Sequence, residues 1–209
     1  MSKPQAPKPA KLVVGFFLKE KALSETIVRE MKTLWGPIDM VSCWLNFNFT
    51  AYYEKEMGGP LFRRMVVFKN LVEQTRLPMI KRATNDLEKQ YEKSGCRRVN
   101  VDPGYLLAER LVLATGKNFT HRIYIGDRIY ADLTLMFQKG AFRELPWTYP
   151  DYADKRMIEF LTLARNKYMR DLKRIDHCNE IADPGNEIAD PVSEEAEKSP
   201  SSRLASPEE

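Results

Sequence analysis

"KLVVGFFL", Lys11 to Leu18, is the stretch whose reading decides the fold. A strand with one wet face alternates apolar and polar residues, whereas this run carries no polar side chain after Lys11, so both of its faces are expected to be covered in the middle of a sheet. Working outward, "LSETIVREMKTLWGP" repeats Leu23, Ile27, Met31 and Leu34 at helical spacing, with Ser24 as the expected N-cap and Gly36-Pro37 as the stop. Branched and aromatic residues make "IDMVSCWLNF" (Ile38 to Phe47) a second strand and "LFRRMVVFKNL" a third. Pro78 opens a helix striped by Ile80, Ala83, Leu87 and Tyr91 and ended by Gly95, after which "RRVNV" supplies a fourth strand. Strand, helix, strand, strand, helix, strand is the split βαβ, ferredoxin-like plan of an α+β protein, an antiparallel sheet with its first and third strands in the centre.

Beyond this core, Pro103 to Ala114 is expected as a short helix ended by Gly116. "THRIYIGDRIYADLTLMFQKGAFREL" follows as a three-strand meander turning at Gly126-Asp127 and Lys139-Gly140. A terminal helix starting after Asp151 or Asp154 and running to about Ile175 carries Ile158, Leu161, Ala164, Tyr168 and Leu172 on one face. The expected organisation is a flexible basic leader (1–10), one α+β domain (11–175) and a disordered acidic tail (176–209) in which "NEIADP" occurs twice.

Of the 209 residues, 43% are hydrophobic, enough for a packed core. No run reaches the roughly 18 consecutive apolar residues of a membrane helix, and the leader lacks a small-residue cleavage site, so no membrane partner and a cytoplasmic location are expected. Cys43, Cys96 and Cys178 are scattered and odd in number, which reads as reduced thiols. The net charge of +4 hides an asymmetry: the last 34 residues hold ten acidic and two basic side chains, leaving +12 on the body. Such a body attracts polyanions, or is a solvated basic surface beside a solubilising tail.

In "VNVDPGYLL", Asp102 stands where a cap for the expected helix belongs, directly before a proline. Alternatively, it is a carboxylate at the lip of a pocket, helped by Asn100, acting on a metal or a substrate hydroxyl. His121 is the sole histidine before the tail. A two-residue turn at Gly126-Asp127 would set it opposite Asp132, an arrangement suited to general acid or base work and equally to a structural pair. The tyrosine-rich "NFNFTAYYEKEMG" near Arg63 and Arg64 and the segment "PWTYPDY" with Trp147 are either ligand contacts or packing. Walker, G-x-G-x-x-G, H-E-x-x-H and G-x-S-x-G signatures do not occur, and one histidine among scattered aspartates is a generic donor set, so neither a metal nor a particular cofactor is indicated.

Taken in order, "PKPAKLVVG", "WGPIDM", "FNFTAYYEKEMG", "LPMIKRATNDLE", "RRVNVDPGYL", "KNFTHRIYIGDRIYADLTL" and "LPWTYPDY" make the chain resemble the mostly bacterial family of the domain of unknown function DUF4416, from about Pro9 to Tyr168. The resemblance implies no particular activity. Some members carry a GTP-binding label, but this sequence has neither a P-loop nor a guanine-reading N-K-x-D segment. The matching positions Asp102, Tyr105, His121, Arg122, Asp127 and Trp147 are implied as a pocket rim. Together these readings lead to an expected ligand that is a phosphorylated small molecule or nucleotide. Arg64 and Arg122 would engage its anionic oxygens, Asn100, Tyr105 and Trp147 would line the site, and His121, Asp132 and Asp102 would handle protons. A non-enzymatic interaction protein and an RNA-binding module are the alternatives, the latter without an RNP-like pattern.

Overall fold

The computed structural model describes residues 2–50 and 52–182. Its first compact unit, Met1–Lys173, holds the described strands, and the second, from Arg174, is described as far as Ala182 and is helical. The fold is α+β. Strand β1 (Ala10–Leu18) is buried along its whole length and pairs antiparallel with β4 (Leu61–Val72) on one side and β5 (Val99–Leu106) on the other. The expected second strand is broken in two, β2 (Ile38–Val41) and β3 (Leu45–Phe47), both paired with β4. At the break Ser42 Oγ accepts the Met65 N–H at 2.9 Å.

Helices α1 (Ser24–Trp35) and α3 (Leu77–Gln90) cover one face of the sheet, and the short α2 (Glu54–Met57) lies between β3 and β4. There Leu12, Val14, Phe16 and Leu18 of β1 meet Ile27, Met31, Ile80 and Leu87. On the other face Val13 joins Met65 and Val67 under Met157, Leu161 and Ala164 of the long helix α5 (Lys155–Ala182). A continuous apolar run is therefore what a strand sandwiched between helical layers requires, each such side chain contributing roughly 1.5–3 kcal/mol of burial. The one charge in the run, Lys11, is fully buried and held by Asp171 at 2.5 Å and Asp39 at 3.1 Å. Burial works against the ionised Asp171 carboxyl, but hydrogen bonds from Lys11 and Lys167 outweigh it and hold its pKa below the ordinary value of 3.8.

The largest departure from expectation lies after Val101. Pro103 to Ala114 is not a helix: β5 runs through Pro103-Gly104 to Leu106, and β6 (Arg110–Thr115) returns beside it. β7 (Arg122–Gly126), β8 (Ile129–Gln138) and β9 (Ala141–Glu144) form the meander, giving the order β2-β4-β1-β5-β6-β8-β7, with β3 on β4 and β9 on β8. Proline is tolerated in this strand because of where it falls. Val101 turns its N–H and C=O away from β1, so by alternation Pro103 does too, and the missing N–H removes no bond to β1. Gly104 is required by contact: a Cβ there would sit 2.4 Å from the Val112 carbonyl oxygen.

Smaller differences have equally local causes. Ser24 is the first residue of α1, with its Oγ donating to the Lys21 carbonyl at 2.7 Å, so it does not cap the helix. α3 ends at Gln90 rather than at Gly95. The β7–β8 turn is Asp127-Arg128, both at positive φ, with Gly126 opposite Ile129. The terminal helix is split into α4 (Pro150–Ala153) and α5, which continues past residue 176 to Ala182. Lys8 and Pro9 of the leader accept hydrogen bonds from Gln74 and Tyr168. The expected disordered tail beyond Ala182, with the second "NEIADP", lies outside the described residues. No described helix is long and apolar enough to cross a membrane.

Replacing Gly104 with alanine is expected to cost about 1–3 kcal/mol by overpacking against the Val112 carbonyl, measured as a lowered midpoint in urea. Because Asp171 has a depressed folded-state pKa, its contribution is present above the unfolded value and lost as pH falls through the folded one. Urea titrations between about pH 5 and pH 2 should therefore show a shallower acid loss for Asp171→Asn than for the unaltered protein, with lower stability at neutral pH.

Candidate functional site

β5 and β6 are paired over three positions only, Gly104↔Leu113, Tyr105↔Val112 and Leu106↔Leu111, and then they part. The edge of β5 that this exposes is satisfied from α3: the Val101 N–H donates to Glu88 Oε1 at 2.7 Å and the Val101 carbonyl accepts from Lys81 Nζ at 2.8 Å. Two side chains thus take the place of a neighbouring strand at Val101, so both of its backbone groups stay paired where the sheet forks. In the fork lies a cavity of about 630 Å³, walled by α3, β5, the end of β6, the loop after β3 and the Pro150–Tyr152 turn.

On the cavity wall, Arg63 of β4 is 3% exposed and Tyr152 2%. Nη1 of Arg63 donates to the Asp151 carboxylate, but among the described residues its Nε and Nη2 meet no acceptor and the Tyr152 hydroxyl no partner. Both side chains sit over Gly15, where a Cβ would lie 2.7 Å from Arg63 Nη2 and 3.1 Å from the Tyr152 oxygen, so glycine is what admits them. Burial lowers the guanidinium's affinity for its proton, but Asp151, Tyr152, Asp102 and Tyr53 together outweigh this and raise the Arg63 pKa above its ordinary value. Burial likewise raises the Asp151 carboxyl above its ordinary range even with Arg63 beside it, and raises the Tyr152 hydroxyl. Phe17 and Phe47, stacked 4.3 Å apart, and Tyr53, pushed up to about 12 by burial, form the aromatic end.

Two further arginines of the wall are committed, and Lys117 lies over the Tyr52 ring, 5.0 Å from its centroid. Arg97 grips Glu56 with Nε and Nη2 at 2.7 Å each and donates Nη1 to Asn100 Oδ1 at 2.7 Å. Arg122 donates to Asp132 Oδ2 at 2.9 Å, to the Lys117 carbonyl at 3.0 Å and to the Tyr149 hydroxyl at 2.9 Å.

The residues singled out in the sequence divide sharply. Asn100, Asp102, Arg122 and Asp132 share the cavity wall, whereas Arg64, Tyr105, His121 and Trp147 do not line it. Asp102 is mid-strand and caps no helix; its Oδ2 accepts from Asn100 Nδ2 at 2.9 Å and its Oδ1 lies 3.7 Å from Lys81. Arg64 points the other way, donating to the Ser42 carbonyl and stacking over Trp44. Tyr105 packs between two apolar clusters, and Asp127 sits in the hairpin turn 3.9 Å from Arg82.

His121 does meet Asp132, with Nε2 3.2 Å from Oδ2, but by a different route from the one expected. The residue opposite Asp132 is Arg122, because a bulge between Tyr124 and Gly126 offsets the register, and His121 reaches the carboxylate from just outside the strand. Its ring lies behind Asp132, stacked 4.8 Å from Trp147, whose indole N–H donates to the Leu133 carbonyl at 2.8 Å. Thr148 Oγ1 in turn donates to the Thr134 carbonyl. "LPWTYPDY" is therefore strapped across β8, and its far end delivers Asp151 and Tyr152 to Arg63.

Sequence reading missed Lys81, named Arg63 only beside Arg64, and took Asp151 and Tyr152 only as part of "PWTYPDY". Strand parity does not separate the two arginines, since Arg64 shares its parity with buried Val66 and Phe68, but the glycine that interrupts the apolar strand beside Arg63 does.

The fold and site define an α+β protein with a polar, arginine-floored cavity at a fork in its sheet. The chain belongs to the family of the domain of unknown function DUF4416, whose model matches residues 8–168. No curated protein and no solved structure matches it.

Asp132 accepts from both His121 and Arg122 while nearly buried, so Asp132→Ala is expected to leave a half-buried guanidinium short of its partner. The cost should approach the lower end of about 3–5 kcal/mol in chemical denaturation. Tyr149→Phe, which removes one neutral acceptor, should cost about 1 kcal/mol.

Proposed function

We propose that this protein binds a phosphorylated small molecule, a nucleotide among the possibilities, in the cavity between β5 and β6, with the anionic oxygens accepting from Arg63 and Tyr152. The observation that carries the reading is the pair of unpartnered Arg63 donors beside an unpartnered Tyr152 hydroxyl, all fully buried. Each such group costs about 1–3 kcal/mol when left unsatisfied, and an arginine fork matches the geometry of a phosphate. A cavity of about 630 Å³ suits a metabolite, and the aromatic end offers a surface for a planar or apolar part.

In this reading Arg63 takes the part expected of Arg64, and Arg122 holds the Tyr149 end of the turn rather than the ligand. We assign His121 and Asp132 to positioning Arg122 and the Trp147–Tyr152 segment, and Asp102 and Asn100 to ligand contact. The order β2-β4-β1-β5 supports reading the first part of the domain as a ferredoxin-like split βαβ unit, with β6–β9 as the extension that creates the fork. RNA binding on the sheet is disfavoured, because helices cover both faces of its central strands and leave unstacked bases no platform.

Thermal shift and calorimetry on the full chain test this with inorganic phosphate, pyrophosphate and a panel of nucleotides and sugar phosphates. A ligand at one hundred times its Kd should stabilise the protein by about 2.7 kcal/mol. Arg63→Lys should weaken binding tenfold or more and Tyr152→Phe severalfold, both variants remaining folded by circular dichroism. Absence of stabilisation by every compound at millimolar concentration, or unchanged affinity in folded variants, overturns the proposal.

A further inference from the structure

The cavity holds a second feature that Arg63 does not explain. Asp102 is paired across β1 with Gly15, which is paired in turn with Met65; one step along, Asn100, Phe17 and Arg63 form the next row on the same face. Asp102 and Arg63 therefore stand on the two strands that flank β1, two strand spacings apart and one row out of step, and the Arg63 guanidinium reaches back over Gly15 toward the Asp102 row, with Phe17 beside it. Asn100 is fixed in one orientation: its Oδ1 accepts from Arg97, so its amide N–H₂ is the group that turns to Asp102 Oδ2. Lys81 spends a proton on the Val101 carbonyl and lies beyond hydrogen-bond distance of Asp102 Oδ1, at 3.7 Å. The Asp102 side chain is 30% exposed on the cavity wall, so a carboxylate oxygen keeps accepting capacity on the side of the cavity.

We infer that Asp102 reads hydroxyl groups, and that the ligand of this cavity is a sugar phosphate, its phosphate at Arg63 and its hydroxyls at Asp102. The inference rests on the phosphate reading above and narrows it to a chemical class. A carboxylate accepts strongly from hydroxyls, which donate without bringing charge. A ligand ammonium would suit an isolated carboxylate, but this one already has the Lys81 ammonium 3.7 Å from its Oδ1 and accepts from the Asn100 amide, and a neutral hydroxyl adds an accepted hydrogen bond without a further charge. Phe17 between the two ends offers an apolar surface to the C–H face of a sugar ring.

The test compares inorganic phosphate, butyl phosphate, D-ribose 5-phosphate and D-glucose 6-phosphate by calorimetry on the full chain and on Asp102→Asn. At least one sugar phosphate should bind the unaltered protein ten or more times tighter than butyl phosphate. Asp102→Asn should erase that gap while leaving inorganic and butyl phosphate unchanged. Equal binding of butyl phosphate and both sugar phosphates overturns the hydroxyl assignment and leaves the phosphate site standing, as does a gap that survives in the variant. Failure of all four compounds to bind overturns both. The comparison on the unaltered protein is decisive by itself should the variant fold poorly.

Discussion

Two side chains of α3 stand in for a β-strand, and the cavity exists because they do. A central strand whose neighbour departs exposes N–H and C=O groups to a partly dry interior, where each unmade bond costs more than a made one yields. Glu88 and Lys81 close both groups of Val101 and nearly neutralise each other, 4.0 Å apart. Burial raises the Glu88 carboxyl, an effect opposed by Lys81 and by the Val101 hydrogen bond. With that edge settled, β6 is free to swing away after Leu113, and the space opened lies next to the most thoroughly buried strand of the domain. The same substitution explains why α3 starts one turn before Lys81 with Leu77 and Pro78 packed inward: the helix must sit at the level of the fork rather than high over the sheet.

The second half of the cavity is delivered from a distance. Trp147 and Thr148 are hydrogen-bonded to the backbone of β8 and Tyr149 to Arg122, so the chain reaches α4 with little freedom left. Asp151 and Tyr152 then meet Arg63 across the sheet. His121, Asp132 and Arg122 belong to this strap, and their polar contacts have an architectural reason that requires no proton to move. Ordering a strap costs conformational entropy residue by residue, and hydrogen bonds to strand carbonyls offset it locally.

How much of this was legible before the structure follows from which signals are local. Lys11 to Leu18 disclosed its central position because full burial leaves a compositional trace, and the stripe from Ile158 to Leu172 disclosed the covering helix for the same reason. Asp102-Pro103-Gly104 misled because these residues are also helix-start chemistry. Only tertiary events, the departure of β6 beyond this point and its close approach at Gly104, make proline harmless and glycine necessary in a strand there. His121 and Asp132 were paired from a turn placed one residue early, and a bulge elsewhere in the hairpin brought the side chains together by compensation. Arg63 and Arg64 are adjacent, and sequence alone marks one as inward without saying which. Gly15 could have decided it, since a glycine within an otherwise bulky strand announces something large above it.

What separates Arg63 from its neighbours is therefore not charge but saturation. Arg97 has its donors on a carboxylate and an amide, and Arg122 on a carboxylate, a carbonyl and a hydroxyl; both are fastened, and fastened cations set a potential without offering a hydrogen bond. Arg63 has one carboxylate for five N–H groups, at a depth where water does not make up the difference. A protein assembled for stability alone gains by replacing such a group with an apolar one, since a buried pair barely repays its desolvation even when complete. Retention of an incomplete one, over a glycine that makes room for it and beside a tyrosine hydroxyl in the same condition, is the arrangement that the proposed anion site accounts for.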